Sequence, residues 1–135
     1  MSELLKAIPG NHRDLVGGIA HAAATATEYV VSWAAPFDCR LLAVYFIPAA
    51  DVTGADTNTT HLNVDNKGSD GTGTTELGNK DLVNGTDLTG SDVNTIVSGL
   101  TTDLSKNDVI SVEAEKVGNG LDVPAGTYIF EYDGG

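Results

Sequence analysis

The sequence has few cysteines, basic residues and aromatic residues, and no long apolar run. Cys39 is the only cysteine among 135 residues, so no intrachain disulfide can form. Seven lysines and arginines stand against 19 acidic residues, which gives a net charge of −12. Phosphate binding requires a basic surface, so we expect no nucleic-acid partner. No stretch approaches the roughly 20 apolar residues of a membrane-spanning helix, and we expect no membrane partner.

The acidic excess is unevenly distributed along the chain. Residues 1–14 are neutral, so the whole excess falls in residues 15–135. Such charge is typical of a solvated surface and of copies that repel one another. Docking onto a basic surface, or mimicry of DNA, is the alternative. Mimicry would require regular rows of carboxylates, which the spacing does not show.

The single cysteine follows a predicted turn, Pro36-Phe37-Asp38. A reactive thiolate needs cationic surroundings, and Arg40 is the one basic residue beside it in the sequence. We therefore expect Cys39 to pack as a small hydrophobic residue.

The most abundant pattern is a short alternating run bounded by turn residues. Thr60–Asp65 and Asp108–Val117 alternate polar and apolar residues, as a strand with one buried face does. Glycine and asparagine between such runs tolerate the positive φ of tight turns. A chain of this length can bury a single core. The pattern predicts an all-β protein, a single antiparallel β-sandwich.

The individual strands differ in strength. Arg40–Ile47 is apolar on both faces, which is typical of a central strand. Segment 87–100 fits a helix with Ser91 as N-cap or a strand, and the sequence does not decide between them. The remaining predicted strands are Thr27–Trp33, with Tyr29, Val31 and Trp33 on one face, then Thr74–Val83 and Thr127–Tyr132.

We divide the chain into an N-terminal arm, residues 1–18, and a β-sandwich domain, residues 19–135. Gly10, Gly17 and Gly18 interrupt any regular element in the arm. Its start is too short and too weakly apolar for a signal peptide, so we expect synthesis in the cytoplasm without export. The apolar residues of the arm are Leu4, Leu5, Ile8 and Pro9.

Metal-binding and catalytic patterns are weak throughout. The three histidines, His12, His21 and His61, lack metal-ligand spacing. Asp65–Gly71 lacks the alternating oxygen ligands and closing glutamate of an EF-hand calcium loop. His61 shares a strand side with Asn63 and Asp65, so we expect it to point to solvent. We expect no metal and no cofactor.

Two further patterns occur in enzymes, but neither indicates an active site in this sequence. Gly68–Gly73 has no lysine and does not precede a helix, so it does not match a phosphate-binding loop. Glu113 and Glu115 lie about 7 Å apart on one side of a strand, the spacing of an inverting glycosidase pair. The same alternation marks the solvent side of any antiparallel sheet. We expect a protein that is not an enzyme.

The order and spacing of turns resemble a known family. The matching segments are Leu62–Gly68, Gly71–Thr75, Lys106–Ile110 and Gly118–Gly126. They resemble the head decoration, or cement, proteins of tailed bacteriophages, which are small β-sandwich proteins encoded beside major capsid genes. The resemblance covers roughly residues 25–132 and contains no catalytic motif. It implies a jelly-roll-like fold.

The resemblance also implies a function. Such a protein sits in the virion as a homotrimer on the expanded head and clamps subunits of the major capsid protein. Leu4, Leu5, Ile8 and Pro9 would then bind the capsid or a neighbouring protomer. The apolar runs Arg40–Ile47 and 20–26 independently favour self-association. The alternative is a glycan- or receptor-binding β-sandwich of a phage tail or adhesin, which requires exposed aromatic residues gathered near one loop end.

Overall fold

The computed structural model describes residues 10–134, which form β-strands joined by turns. The nine strands of this range are β1 Asn11–Gly18, β2 Glu28–Ala34, β3 Cys39–Pro48, β4 Thr59–Gly68, β5 Thr75–Asp81, β6 Asn94–Val97, β7 Thr102–Leu104, β8 Val109–Val117 and β9 Gly126–Asp133. Residues 10–134 include no helix of the length and apolarity that a membrane span needs.

The strands pair in the nested order of a jelly roll. The first pairs with the last, β1 with β9, and then β2 pairs with β8, β3 with β6 and β7, and β4 with β5. These strand pairs fold over together, so that β9 also pairs with β3 and β8 also pairs with β4. The result is a five-stranded sheet, β1-β9-β3-β6 with β7 on β3, and a four-stranded sheet, β2-β8-β4-β5. All pairs are antiparallel, and the predicted jelly-roll-like β-sandwich is confirmed.

The core lies between the two sheets and contains most of the aromatic side chains. The rings of Phe46 and Tyr128 stack with centroids 4.1 Å apart. Trp33, from the other sheet, stacks on Phe130 at 5.2 Å. Such pairs add to the free energy gained by burying large apolar side chains. Ile110, Val112 and Ala114 face this core, as their alternation predicts.

The prediction of an arm is wrong for residues 11–18, because they form β1. Gly17 and Gly18 do not end the strand. Gly18 faces inward, where a Cβ atom would lie 2.3 Å from Cε1 of Tyr128. A glycine stands there because the tyrosine ring occupies the space of a side chain. Leu4, Leu5, Ile8 and Pro9 lie outside the described residues.

Two further predictions concern segment 87–100 and the orientation of Tyr29. Segment 87–100 contains the short strand β6 and no helix. Tyr29 does not share a side with Val31, because a β-bulge shifts the pairing with β8 between these two residues. Val30 and Val31 are both buried as a result, whereas Tyr29 is 39% exposed.

Candidate functional site

Strand β1 sends polar side chains into the protein. The ring of His12 stacks on Tyr132 with centroids 5.4 Å apart. Asp14 accepts hydrogen bonds from Nε1 of Trp33 at 2.7 Å and from the hydroxyl of Tyr132 at 2.9 Å. Because successive residues of a strand alternate between its two sides, Leu15 projects outward. Its exposed fraction is 64%.

Apolar side chains of three adjacent strands form a row on the outer side of the five-stranded sheet. Leu15 lies opposite Ile129, and Ile129 lies opposite Tyr45. Ile47, two residues beyond Tyr45, projects from the same side. Ile129 is only 4% exposed, so its neighbours in the row cover it. We call the surface formed by Leu15, Tyr45, Ile47 and Ile129 the apolar face.

A charge pair bounds one end of the apolar face. Arg13 lies opposite Glu131, with 3.4 Å between the guanidinium and the carboxylate. Glu131 also accepts a hydrogen bond of 3.2 Å from the hydroxyl of Tyr45. The guanidinium of Arg13 lies 5.1 Å from the centroid of the Tyr45 ring. Burial, and then Glu131, raise the pKa of Tyr45, so its hydroxyl remains a donor.

The apolar face adjoins an open sheet edge. Among residues 10–134, β1 pairs with β9 alone. An edge strand presents unpaired backbone groups, which proteins usually protect with outward charges, proline or a covering loop. Beside Leu15, the outward position Gly17 carries no side chain, and Ile19 just beyond the strand is 56% exposed. An exposed apolar patch beside an open edge is suited to contact with another protein.

The outer side of the four-stranded sheet carries carboxylates instead. Asp65 of β4 lies opposite Glu76 of β5, and His61 lies opposite Asp81 and Glu115. We call the surface formed by Asp65, Glu76, Asp81, Glu113 and Glu115 the carboxylate face. Residues 10–134 contain no group of three or more metal-ligating side chains arranged to hold a metal ion.

The middle of the carboxylate face is buried by its own side chains. Asp65 is 7% exposed and accepts a hydrogen bond of 3.2 Å from the Tyr29 hydroxyl. Burial raises the pKa of Asp65, and the charge of Glu113 raises it further. Asn63 is also buried and donates to Glu113 at 3.3 Å. Lys67 covers this group, with Nζ 3.0 Å from the Tyr29 hydroxyl.

The predicted solvent position of His61 holds only in part. Its side chain projects outward but is half-buried, with Nδ1 3.4 Å from Oδ1 of Asp81 and 3.8 Å from Glu115. The Asp81 contact has the distance of an ion pair without the geometry of a hydrogen bond. Glu113 and Glu115 therefore have separate partners, Asn63 and His61.

Cys39 packs against the core, partly buried, as predicted. Burial raises the pKa of its thiol to about 11, and the carboxylates of Asp14, Asp38 and Asp108 act in the same direction. The thiolate is the reactive form, so this environment makes Cys39 a weak nucleophile near neutral pH.

The aromatic side chains bear on the glycan-binding alternative. Tyr29 is the exposed aromatic residue of the described range, and it lies on a strand. Nζ of Lys67 is 4.6 Å from the centroid of its ring. The buried ones are Trp33, Phe46, Tyr128, Phe130 and Tyr132. Aromatic residues of the described range are therefore not gathered at one loop end.

Sequence reasoning missed the apolar face in part. It identified Arg40–Ile47 as apolar on both sides, which includes Tyr45 and Ile47, but it assigned Leu15 to the arm. The alternation of β1 was the available signal. This alternation is difficult to recognise as a strand pattern, because the inward residues, His12 and Asp14, are polar and the outward residue Leu15 is apolar.

No protein-family model matches this sequence, and no curated protein matches it significantly. Among solved structures, a chain from the structure of infectious bursal disease virus, Gx strain, is similar, with a TM-score of 0.47 and 13% sequence identity. The match covers 90% of this protein and 32% of that chain, so this protein spans about a third of its length. Similarity at this level carries no information about what this protein binds.

Proposed function

We propose that this protein is a head decoration protein that binds the outer surface of an expanded phage head. It acts there as a homotrimer and stabilises the head non-covalently, without catalysing a reaction. The observation that carries the proposal is the apolar face, whose Leu15 is 64% exposed beside an open sheet edge. The jelly-roll fold and the sequence resemblance support it. The likeness to the bursal disease virus chain contributes nothing to it.

The two outer faces suggest how the protein is oriented on the head. The charges beside the apolar face, Arg13 and Glu131, are paired, and further along the same sheet Arg40 pairs with Asp103 at 2.9 Å. Burying a leucine side chain contributes about 1.5–3 kcal/mol. The carboxylate face has an excess of negative charge, which favours water as its neighbour. We therefore assign the apolar face to the major capsid protein and the carboxylate face to solvent.

The arm residues lie close in the sequence to the strand that carries this contact. Residues 1–9 precede Gly10, the residue before β1, which carries Leu15. Nine residues span at most about 30 Å when extended, so a partner on the apolar face lies within reach of them. Burying Leu4, Leu5 and Ile8 contributes on the order of 5 kcal/mol before the entropy of ordering is subtracted.

A trimer multiplies the capsid contact to which β3 contributes. This strand buries Leu41, Val44 and Phe46 in the core and still places Tyr45 and Ile47 on the outside. Cyclic symmetry presents one such contact from every protomer. Three modest contacts that act together hold a particle far more tightly than one does.

Co-sedimentation with heads of the encoding phage tests the proposed function. We expect the protein to pellet with expanded heads and to remain in solution with unexpanded ones, and we expect bound copies to form trimers in electron micrographs. Failure to bind expanded heads at saturating concentration contradicts the decoration function. A monomer both in sedimentation velocity and on the particle contradicts the trimer alone.

A further inference from the structure

The backbone hydrogen bonds of β1 determine which of its residues face the open sheet edge. The N–H of Gly134 donates to the carbonyl of Gly10 at 3.3 Å, and this pair continues the regular register of β1 on β9. In an antiparallel pair, residues that exchange hydrogen bonds alternate with residues whose N–H and C=O groups point the other way. The even-numbered residues of β1 therefore bond to β9. The odd-numbered residues Arg13, Leu15 and Gly17 direct their N–H and C=O groups away from it.

The pairing on the other side of β9 supports this assignment. The N–H of Ala49 donates to the carbonyl of Ala125 at 2.9 Å, and this pair continues the register in which Tyr45 lies opposite Ile129. Odd-numbered residues of β9 therefore bond to β3, which leaves the even-numbered residues of β9 for β1. Both neighbours of β9 thus give the same alternation.

The outward backbone groups of β1 are unpaired in the described part of the chain. Within residues 10–134, β1 pairs with β9 alone, and no other backbone hydrogen bond involves Arg13, Leu15 or Gly17. The open edge ends at Ile19, whose N–H donates at 3.0 Å to the carbonyl of Val30 in the other sheet. Successive outward residues lie about 7 Å apart, which is two residues of strand rise. Each of them presents one donor and one acceptor to the outside.

This row of backbone groups is complementary to an extended peptide. Its donors and acceptors alternate at the repeat of a β-strand, so a strand of another chain can pair with all of them. A polysaccharide has no such alternation, and a nucleic acid is disfavoured by the net charge of −12. Antiparallel pairing with β1 of a second copy would form a two-fold contact, which gives a dimer and not the proposed trimer.

The side chains around the edge favour an apolar, uncharged strand. An added strand places one of its side chains directly beside Leu15, which is 64% exposed, on the outer side of the sheet. The space beside Gly17 is open, since a Cβ atom there would have no other atom within 4 Å. The nearby charges already have partners. Arg13 pairs with Glu131, and Asp14 turns inward and accepts two hydrogen bonds.

We propose that β1 accepts an extended, apolar segment of the major capsid protein as a further strand of the five-stranded sheet. Backbone hydrogen bonds to Arg13, Leu15 and Gly17 provide affinity, and the apolar side chain beside Leu15 provides the preference for sequence. The identity of the partner rests on the proposed function. The inference adds the manner of binding, which is strand pairing at the edge together with contact on the apolar face.

Two substitutions of Gly17 test the strand pairing. Gly17→Pro removes an N–H that faces the open edge and leaves every bond to β9 in place, and an edge strand tolerates proline where its nitrogen faces outward. Gly17→Ala is the matched control, because it also adds a Cβ atom but keeps the N–H. We expect Gly17→Pro to bind expanded heads about tenfold more weakly than Gly17→Ala, or weaker still, in co-sedimentation. Equal affinities of the two variants overturn the strand pairing, whereas a parent protein that does not bind heads contradicts the decoration function.

Hydrogen exchange of the unsubstituted protein gives a second test, which does not depend on the folding of a variant. We expect the amides of Leu15 and Gly17 to exchange rapidly in the free protein and about tenfold more slowly, or slower still, on expanded heads. The amides of Asp14 and Val16, which bond to β9, should exchange slowly in both states. Unchanged exchange at Leu15 and Gly17 in the head-bound protein overturns the proposal. Slow exchange of these two amides in the free protein also overturns it, because the chain itself or a second copy would then cover the edge.

Discussion

On the outer side of the five-stranded sheet, Leu15 is 64% exposed beside Ile129 and Tyr45, and the nearby Arg13 is paired with Glu131. On the outer side of the four-stranded sheet, the corresponding positions carry carboxylates, and Asp65 and its neighbours bury one another. Both surfaces come from alternating antiparallel strands. The difference shows that a net charge of −12 is not a uniform property of this surface. One face is kept nearly neutral and apolar.

The sheet edges differ in the same way. The edge strand β5 carries Glu76, Lys80 and Asp81, charges of the kind that prevent an edge from pairing with another chain. On the edge strand β1, Asp14 is turned inward onto Trp33 and Tyr132, and Arg13 is paired. The sheet edge is therefore strongly protected against pairing with another chain at β5 and weakly protected at β1. This difference agrees with a contact surface at β1.

The largest effect should come from placing a charge in the apolar face. Leu15→Lys removes an apolar contact of about 1.5–3 kcal/mol, which corresponds to roughly a tenfold to hundredfold loss of affinity for heads. The matched control, Asn79→Lys, places the same side chain on the exposed outer side of β5. We expect its affinity to stay within about twofold of the parent, since surface changes away from a contact are nearly neutral. Equal losses in a co-sedimentation assay would remove the distinction between the faces.

Deletion of residues 2–9 should have a smaller effect on binding. The deletion keeps Gly10, whose carbonyl accepts from the Gly134 N–H at 3.3 Å. We expect several-fold weaker attachment to heads and an unchanged melting temperature, because the nine strands described for residues 10–134 begin at Asn11. A truncated protein that binds as tightly as the full chain, or that fails to fold, would show that the arm is not part of the contact.

On the carboxylate face, Asp65 should make stability depend on pH. Its pKa is raised in the folded protein, above an unfolded value of about 3.9. The stability it contributes is therefore present when it is protonated, and it is lost as the pH rises through the folded pKa. Asp65→Asn avoids this loss and keeps an acceptor for Tyr29. We expect the variant to be more stable than the parent in urea at neutral pH, with an advantage that shrinks below about pH 4.

Asp70 provides a control of opposite sign for this pH dependence. Backbone and side-chain hydrogen bonds from Thr72 lower the pKa of Asp70. The stability that Asp70 contributes is present above its unfolded pKa and is lost as the pH falls through its folded pKa. Asp70→Asn should therefore be less stable than the parent at neutral pH and equal to it in acid. If both substitutions stabilised the protein at neutral pH, or both destabilised it, the environments assigned to Asp65 and Asp70 would be contradicted.

The smallest expected effect is that of a chelator. Addition of EDTA should leave the melting temperature unchanged, because we expect neither the carboxylate face nor the Asp65–Gly71 loop to depend on a metal. A ligand that binds only the folded state raises its stability, so removal of a bound metal would lower the melting temperature by several degrees. Such a drop would assign a structural role to these carboxylates.

The sequence was informative where a strand follows the simple rule of apolar inside and polar outside. Strand β8 follows it, and its two sides were predicted correctly. Strand β1 reverses the rule, because Asp14 is satisfied by the hydroxyl of Tyr132, 118 residues away in the chain. The buried position of His21 is also a product of the fold, because its main chain pairs with the distant Val123. Contacts between distant segments leave no local pattern in the sequence, so such sites are recognisable only in the folded structure.

Cryo-electron microscopy of decorated, expanded heads shows directly which face of the sandwich meets the shell. We expect density in which Leu15, Tyr45 and Ile47 lie against the major capsid protein, while Asp65 and Glu113 face the solvent. Density with the carboxylate face against the shell, or with Leu15 exposed to solvent on the particle, would contradict it.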